Sequence, residues 1–167
     1  MVNTLQTLDF EVYKEVKKPT PVNTIIKNLS DILKYSLAPV DVPVTIDDEL
    51  KNIRKYVQIQ KYRFPDRFVV YEDAEDEIMS LPFKRLILQP LIENSITHGL
   101  RPVSGYGYIK IRIFVRNNRI RVSVIDNGVG MSRLKLKSLR ENLSQDTSAG
   151  RIGLDNVNKR LILNYGV

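Results

Sequence analysis

The chain has no cysteine. Disulfides, thiolate-bound metals and cysteine nucleophiles are therefore excluded, and a reducing compartment is the natural setting. Histidine is almost as scarce. His98 is the only one, and a single imidazole without a second ligand makes a poor metal site. No apolar run approaches the roughly 18–20 residues that a membrane-crossing helix requires, and no signal peptide opens the chain. Internal repeats and long low-complexity tracts are missing too. These absences lead us to expect a soluble polypeptide: one compact domain with a small appendage.

What the chain does have is positive charge. Among its 167 residues, 26 Lys and Arg face 19 Asp and Glu, a formal net charge of +7. Such a balance suits a polyanionic partner, whether nucleic acid, an anionic membrane face or nucleotide phosphates, and equally a plain solvated basic surface. A hydrophobic content of 43% is enough for a core.

Three zones follow one another. The first, to Arg63, reads as helical. In "TPVNTIIKNLSDILKYSLA", Thr20 offers an N-cap and Pro21 the first helical position, while Val22, Ile26, Leu29 and Leu33 make one apolar stripe. "APVDVPV" breaks that helix, because its prolines and valines favour extended backbone. A second helix follows in "TIDDELKNIRKYVQIQKYRF". Thr45 is its cap, Asp47, Asp48 and Glu49 suit its positive N-terminus, and Ile46, Leu50, Ile53, Val57 and Gln60 form its face. An antiparallel hairpin of two such helices cannot bury both stripes alone; it must pack on the rest of the chain or on a second copy.

The second zone mixes strand and helix. "RFVVY" reads as a short strand, "EDAEDE" as an exposed acidic turn, and Leu81 to Gly99 as an apolar helix. The alternation of Ile109, Ile111, Ile113 and Val115 with Lys110, Arg112 and Arg116 predicts a strand. Asn117-Asn118 then serves as a two-residue turn into a return strand bearing Ile120, Val122 and Val124. The third zone, from "DNGVGM", is rich in glycine and loop up to a last helix, "LDNVNKRLILNYG". The expected class is α+β, an open mixed or antiparallel sheet with helices on one face, preceded by the helical hairpin. No further strand follows to close the sheet edge before Val167, so a C-terminally truncated domain is expected.

Three stretches can carry chemistry. In "QPLIENSITHGL", Leu88, Leu91, Ile92 and Ile96 share the buried face, while Asn94, Thr97 and His98 share another with Glu93 at its border. A carboxylate and an amide oxygen on such a helix can orient a proton acceptor and a Mg²⁺ ion that phosphates also ligate; a solvated polar face is the plainer reading. His98 before Gly99 suits a helix C-terminus. In "VIDNGVGM", Asp126 ends a strand beside Gly128 and Gly130, where a carboxylate can accept from an exocyclic amine, or where an ordinary Asn-Gly turn can sit. In "SAGRIGLDNVNKR", Gly150 and Gly153 precede a helix start whose free amides, with Arg151, suit an anion. No G-K-[ST] follows, so this is not a Walker A loop, and no strand leads into it as a Rossmann fingerprint requires.

Taken in order, "ENSITHG", "DNGVG" and "GRIGLDN" resemble the N box and two glycine boxes of the Bergerat-fold ATPases. With "LSDILKYSL", "ELKNIRKYVQIQKYRF" and "LILQPLIENSITHGL", nearly the whole chain resembles sensor histidine kinases of the LytS/YesM type. The resemblance implies a helical dimerisation and phosphotransfer region over residues 1–63 and an ATP-binding catalytic domain over 64–167. It implies ATP and Mg²⁺ as cofactors, with Glu93 as general base or orienting carboxylate and Asn94 as the Mg²⁺ ligand. Asp126 would read the adenine amine, with Gly128 and Gly130 shaping the base pocket. Gly150, Gly153 and the Leu154 backbone would close on the phosphates, with Arg151 and His98 as phosphate contacts. The lid, Ser132 to Arg151, would be mobile without nucleotide. Asn3, Thr4 and Leu5 match the end of the family's "PHFLYNTLN"-like box, which places the phosphoacceptor histidine ahead of Met1, so His98 is not the acceptor. Thr97 stands where the family carries a lysine. The implied partners are a response regulator and a second copy of the chain, with no nucleic acid. The implied setting is the cytoplasmic domain of a membrane sensor, anchored through segments absent from this sequence. The alternatives are another ATPase or a protein-serine kinase on the same fold, and a non-catalytic basic scaffold that binds nucleic acid through the Arg/Lys face of the strand hairpin.

Overall fold

The structure, a computed structural model, describes residues 21–39, 42–144 and 154–165. Its elements in chain order are α1 (Pro21–Leu37), β1 (Val44–Thr45), α2 (Ile46–Arg63), β2 (Phe68–Ala74), a 3₁₀ turn (Asp76–Ile78), β3 (Pro82–Phe83), α3 (Leu88–Asn94), a π-helical continuation (Ser95–Leu100), β4 (Gly107–Arg116), β5 (Arg119–Asp126), α4 (Arg133–Ser144) and α5 (Leu154–Tyr165). The class is α+β. β4 lies between a parallel β2 and an antiparallel β5, and β1 pairs with β3 in a separate two-stranded ribbon. Because β2 and β4 run parallel, a crossover must join them, and that crossover carries α3.

The strand hairpin forms as its alternation predicts. Ile109, Ile111 and Ile113 are almost fully buried, and Asn117 and Asn118 both adopt left-handed φ, 53° and 57°, the geometry that matches strand twist. α2 is also as expected. Thr45 and Asp48 form a capping box, the Thr45 hydroxyl accepting from the Asp48 amide at 3.2 Å and the Thr45 amide donating to Asp48 Oδ2 at 2.9 Å. Its Ile46, Leu50, Ile53 and Val57 join Phe68, Leu88, Ile92, Ile96 and the β4 isoleucines in one core. Packing therefore runs across the expected division between residues 63 and 64.

Other expectations divide between those met and those corrected. The apolar stripe of α1 is left open among the described residues, as a hairpin that cannot bury both stripes alone allows: Val22 is 61% exposed, Ile26 60%, Leu29 50% and Leu33 51%. α1 instead meets α2 through buried Asn28 and Ile32, with Asn28 donating to Gln58 at 2.8 Å. The Thr20 cap lies outside the described residues. The segment from Leu81 is not helical until Leu88, because Pro82–Phe83 pairs with β1 and Leu86 sits at a φ of 59°, which a helix cannot include. β2 extends through Glu72 and Asp73, which lie in the strand because cations reach them: Arg54 pairs with Glu72 at 2.6 Å, and Lys110 and Arg112 with Asp73 at 2.9 and 3.0 Å. Finally, Arg133–Ser144 is a helix rather than loop.

Candidate functional site

The candidate residues gather where α3 ends and β5 ends. Core burial of Leu88 and Ile92 orients α3, which leaves Glu93 exposed and Asn94 half-buried on its outer side. At Ser95 the helix loosens into π geometry, with the Arg101 amide bonding the Ile96 carbonyl at 3.0 Å. Such π turns are rare and favour functional sites. Thr97 and His98 are exposed, and His98 has no polar partner among the described residues.

Gly99 is the contact point with β5. A Cβ there would lie 2.8 Å from Asp126 Oδ1, and one on Gly128 would lie 2.3 Å from the Gly99 carbonyl carbon. The two glycines thus let the turn after β5 press its backbone on the helix end, and the Val129 amide bonds the Gly99 carbonyl at 3.0 Å. The missing side chain of Gly128 makes room for Gly99. Gly130 has open space around it and a φ of +65°, a left-handed position that suits glycine. The half-buried Asp126 accepts from the Gly128 amide on Oδ1 at 2.9 Å. Its second oxygen has no partner among the described residues, so one acceptor is held and one is free to read a donor.

Two features mark Asn94 and Glu93. Asn94 Nδ2 is buried without a hydrogen-bond partner among the described residues. A buried unpaired amide is costly, and nothing holds this one in a fixed protein bond, so the side chain is available to a ligand. Tyr56 of α2 lies near Glu93, and its phenol is pushed up to about 12, first by burial and then by the Glu93 charge. Sequence reading missed Tyr56; its place in α2, seven residues after the buried Glu49, is a helical-face signal that could have found it.

The structure brings Gly99, Asp126 and Gly128 into contact, and Glu93 and Asn94 lie on the helix that runs into Gly99. Gly150, Arg151 and Gly153 lie outside the described residues, as does the second half of the expected lid. Leu154 is the first residue of α5. No cluster of three or more His, Asp or Glu suited to a metal occurs among the described residues, so a cation here would depend on Asn94 and on oxygens brought by a ligand.

A family model described as histidine kinase matches residues 1–68, and one described as histidine kinase-, DNA gyrase B-, and HSP90-like ATPase matches residues 82–167. An uncharacterized sensor-like histidine kinase of Staphylococcus epidermidis is 34% identical over 169 residues, which cover 99% of this chain and 32% of that protein. Sensor protein kinase HptS of Staphylococcus aureus is 32% identical over 167 residues, covering 99% of this chain and 31% of that one. The chain thus spans less than a third of the length of these curated relatives. Among solved structures, the histidine kinase domain of a blue-light activated histidine kinase from Erythrobacter litoralis superposes with a TM-score of 0.51 at 14% identity, over 99% of this chain and 74% of that one. That likeness shows the shared fold.

Proposed function

The chain belongs to the histidine kinase-, DNA gyrase B-, and HSP90-like ATPase family, and on that premise we propose that it is the ATP-binding and dimerising part of a two-component sensor histidine kinase of the LytS/YesM type. The observation that carries this reading is the seating of the Asp126–Gly128 turn on Gly99, at the end of the helix that carries Asn94. Asn94 brings a side-chain amide with no hydrogen-bond partner among the described residues, and Asp126 a carboxylate with one oxygen left open there. Bound Mg-ATP would supply the transferable phosphoryl group and the cation that offsets its charge. Asp126 would accept from the exocyclic amine of adenine, the Asn94 oxygen would help hold the cation, and Glu93 would take the proton released when an acceptor imidazole attacks. Phosphoryl transfer depends mainly on such positioning and charge. His98 stays outside this chemistry as acceptor, and its exposed place leaves it a phosphate contact; by the resemblance, Gly150, Arg151, Gly153 and the Leu154 backbone would also meet the phosphates.

The exposed stripe of α1 supports a homodimer. Val22, Ile26, Leu29, Leu33 and Leu37 form an apolar row with an open groove along it, and such a row on a hairpin helix is a seam for a second copy. A response regulator would receive the phosphoryl group. No described helix is long and apolar enough to cross a membrane, so anchoring of the whole sensor would use other segments. The nucleic-acid reading loses support because Lys110 and Arg112 of the strand hairpin are already paired with Asp73.

Competition against a fluorescent adenine nucleotide tests the proposal. ATP and ADP should displace it, and GTP, with a carbonyl where adenine has its amine, should not. Equal displacement by GTP would remove Asp126 from its role.

A further inference from the structure

By sequence Glu49 is one of three acids that suit the positive N-terminus of α2. It is instead fully buried, at 0% exposure, and it makes no ion pair among the described residues. A buried carboxylate without a cation is unfavourable unless donors satisfy it, and three do. The Tyr35 hydroxyl of α1 donates to Oε2 at 2.6 Å, the Leu86 amide to Oε2 at 3.0 Å, and the Leu88 amide to Oε1 at 2.9 Å.

The last of these bonds caps α3, and the Leu86 bond holds the turn that enters it. The residue at the usual capping position, Ile87, has no side-chain hydrogen bond to give, so the first amide of α3, that of Leu88, is satisfied by a carboxylate from another helix. The same seam continues along α2: Asn52 donates to Gln89 at 3.0 Å, and Tyr56 feels the charge of Glu93. On its other side α2 holds α1 through Tyr35, through Asn28 on Gln58 and through the Asp31–Lys55 pair at 2.9 Å. Glu49 belongs to both sides. Arg85 reinforces the junction, lying 5.1 Å over the Tyr35 ring and donating to the Ala38 carbonyl at 2.6 Å.

We propose that Glu49 is a positioning residue that seats the helix carrying Glu93 and Asn94, and that Tyr35 makes this seating depend on where α1 lies. The functional half rests on the nucleotide reading above. A displacement of α1 that withdraws the Tyr35 hydroxyl would loosen the start of α3 and so the placement of both site residues, and nucleotide bound at α3 would in turn steady α1, since coupling is reciprocal.

The test compares wild type with Tyr35→Phe, Glu49→Gln and, as a comparison, Asn28→Ala, which breaks a different α1–α2 bond far from Glu49. Two readouts are taken: hydrogen exchange at the Leu86 to Asn94 amides without nucleotide, and affinity for Mg·AMP-PNP. Loss of a hydrogen bond to a charged group should speed exchange at Leu86 and Leu88 roughly tenfold in Tyr35→Phe and weaken analogue binding by about the same factor, with Glu49→Gln larger and Asn28→Ala within about twofold of wild type on both. Unchanged exchange in Tyr35→Phe would overturn the proposal, as would equal loosening in Asn28→Ala, which would mean general undocking of the hairpin. Should Glu49→Gln fail to fold, Tyr35→Phe still decides the question. Wild type that binds no analogue would refute the nucleotide reading and the functional half with it, while the exchange result would still judge the seating.

Discussion

The contact between Gly99 and Gly128 lends itself to a quantitative test. In Gly128→Ala the new methyl would lie 2.3, 2.4 and 2.5 Å from the carbonyl carbon, oxygen and Cα of Gly99, where ordinary contacts begin at 3.4 Å. All three are backbone atoms, so no side chain can swing aside, and the turn after β5 must retreat by about 1 Å. Overpacking of that kind costs about 1–3 kcal/mol, and the Val129–Gly99 hydrogen bond, about 1 kcal/mol more, stretches or breaks. The combined loss of about 2–4 kcal/mol lowers Tm by about 5–15 °C for a domain of this size. Gly130→Ala provides the contrast. It meets nothing within 4 Å and suffers only the left-handed φ of +65°, about 1–2 kcal/mol. Calorimetric melting of both variants is the assay. A Gly128→Ala protein melting within about 2 °C of wild type, or above Gly130→Ala, would refute the claim that the turn is seated on the helix end.

Other consequences are equally direct. Leu29→Glu with Leu33→Glu on the exposed face of α1 should convert a dimer to monomer in sedimentation with little loss of monomer stability, since neither side chain is buried. Asp48 is held below its usual 3.8 by the Thr45 amide, then by the Thr45 hydroxyl. A depressed folded-state value means its contribution is present above the ordinary carboxylate range and is lost as pH falls through and below that range. Acid titration of Asp48→Asn should therefore show less destabilisation between neutral pH and about pH 3 than wild type, and an identical acid profile would count against the capping box. Asn94→Ala should keep the wild-type melting temperature, because its amide nitrogen forms no bond among the described residues, yet abolish any Mg²⁺ dependence of nucleotide affinity.

Much of this was readable from local pattern. The isoleucines of β4 alternate against basic residues, Asn117-Asn118 permits the required left-handed turn, and Thr45 with Asp48 is a capping box three residues apart; each signal lies within a few positions. What escaped reading depends on distant partners. Glu49 looks like a helix-start acid, and only the arrival of Leu86 and Leu88 buries it. Leu86 in left-handed conformation contradicts its own propensity and ends the helix expected from Leu81. The α1 stripe was found as a stripe, but periodicity says only that a face is apolar, not which neighbour takes it. In the site, Asp126 at the strand end and Asn94 on the helix stood where expected, whereas the π turn and the backbone contact that joins them leave no trace in residue type beyond two glycines.

The central claim is that Asp126 and Asn94 form one adenine-nucleotide site. Its most direct test is calorimetric titration of wild type, Asp126→Asn and Asn94→Ala with AMP-PNP, with and without Mg²⁺. Losing a hydrogen bond to a charged acceptor, about 1.5–3 kcal/mol, should weaken Asp126→Asn roughly ten- to a hundredfold, and only Asn94→Ala should become indifferent to the cation. Saturable binding that neither substitution changes would contradict the account, placing nucleotide elsewhere on the chain.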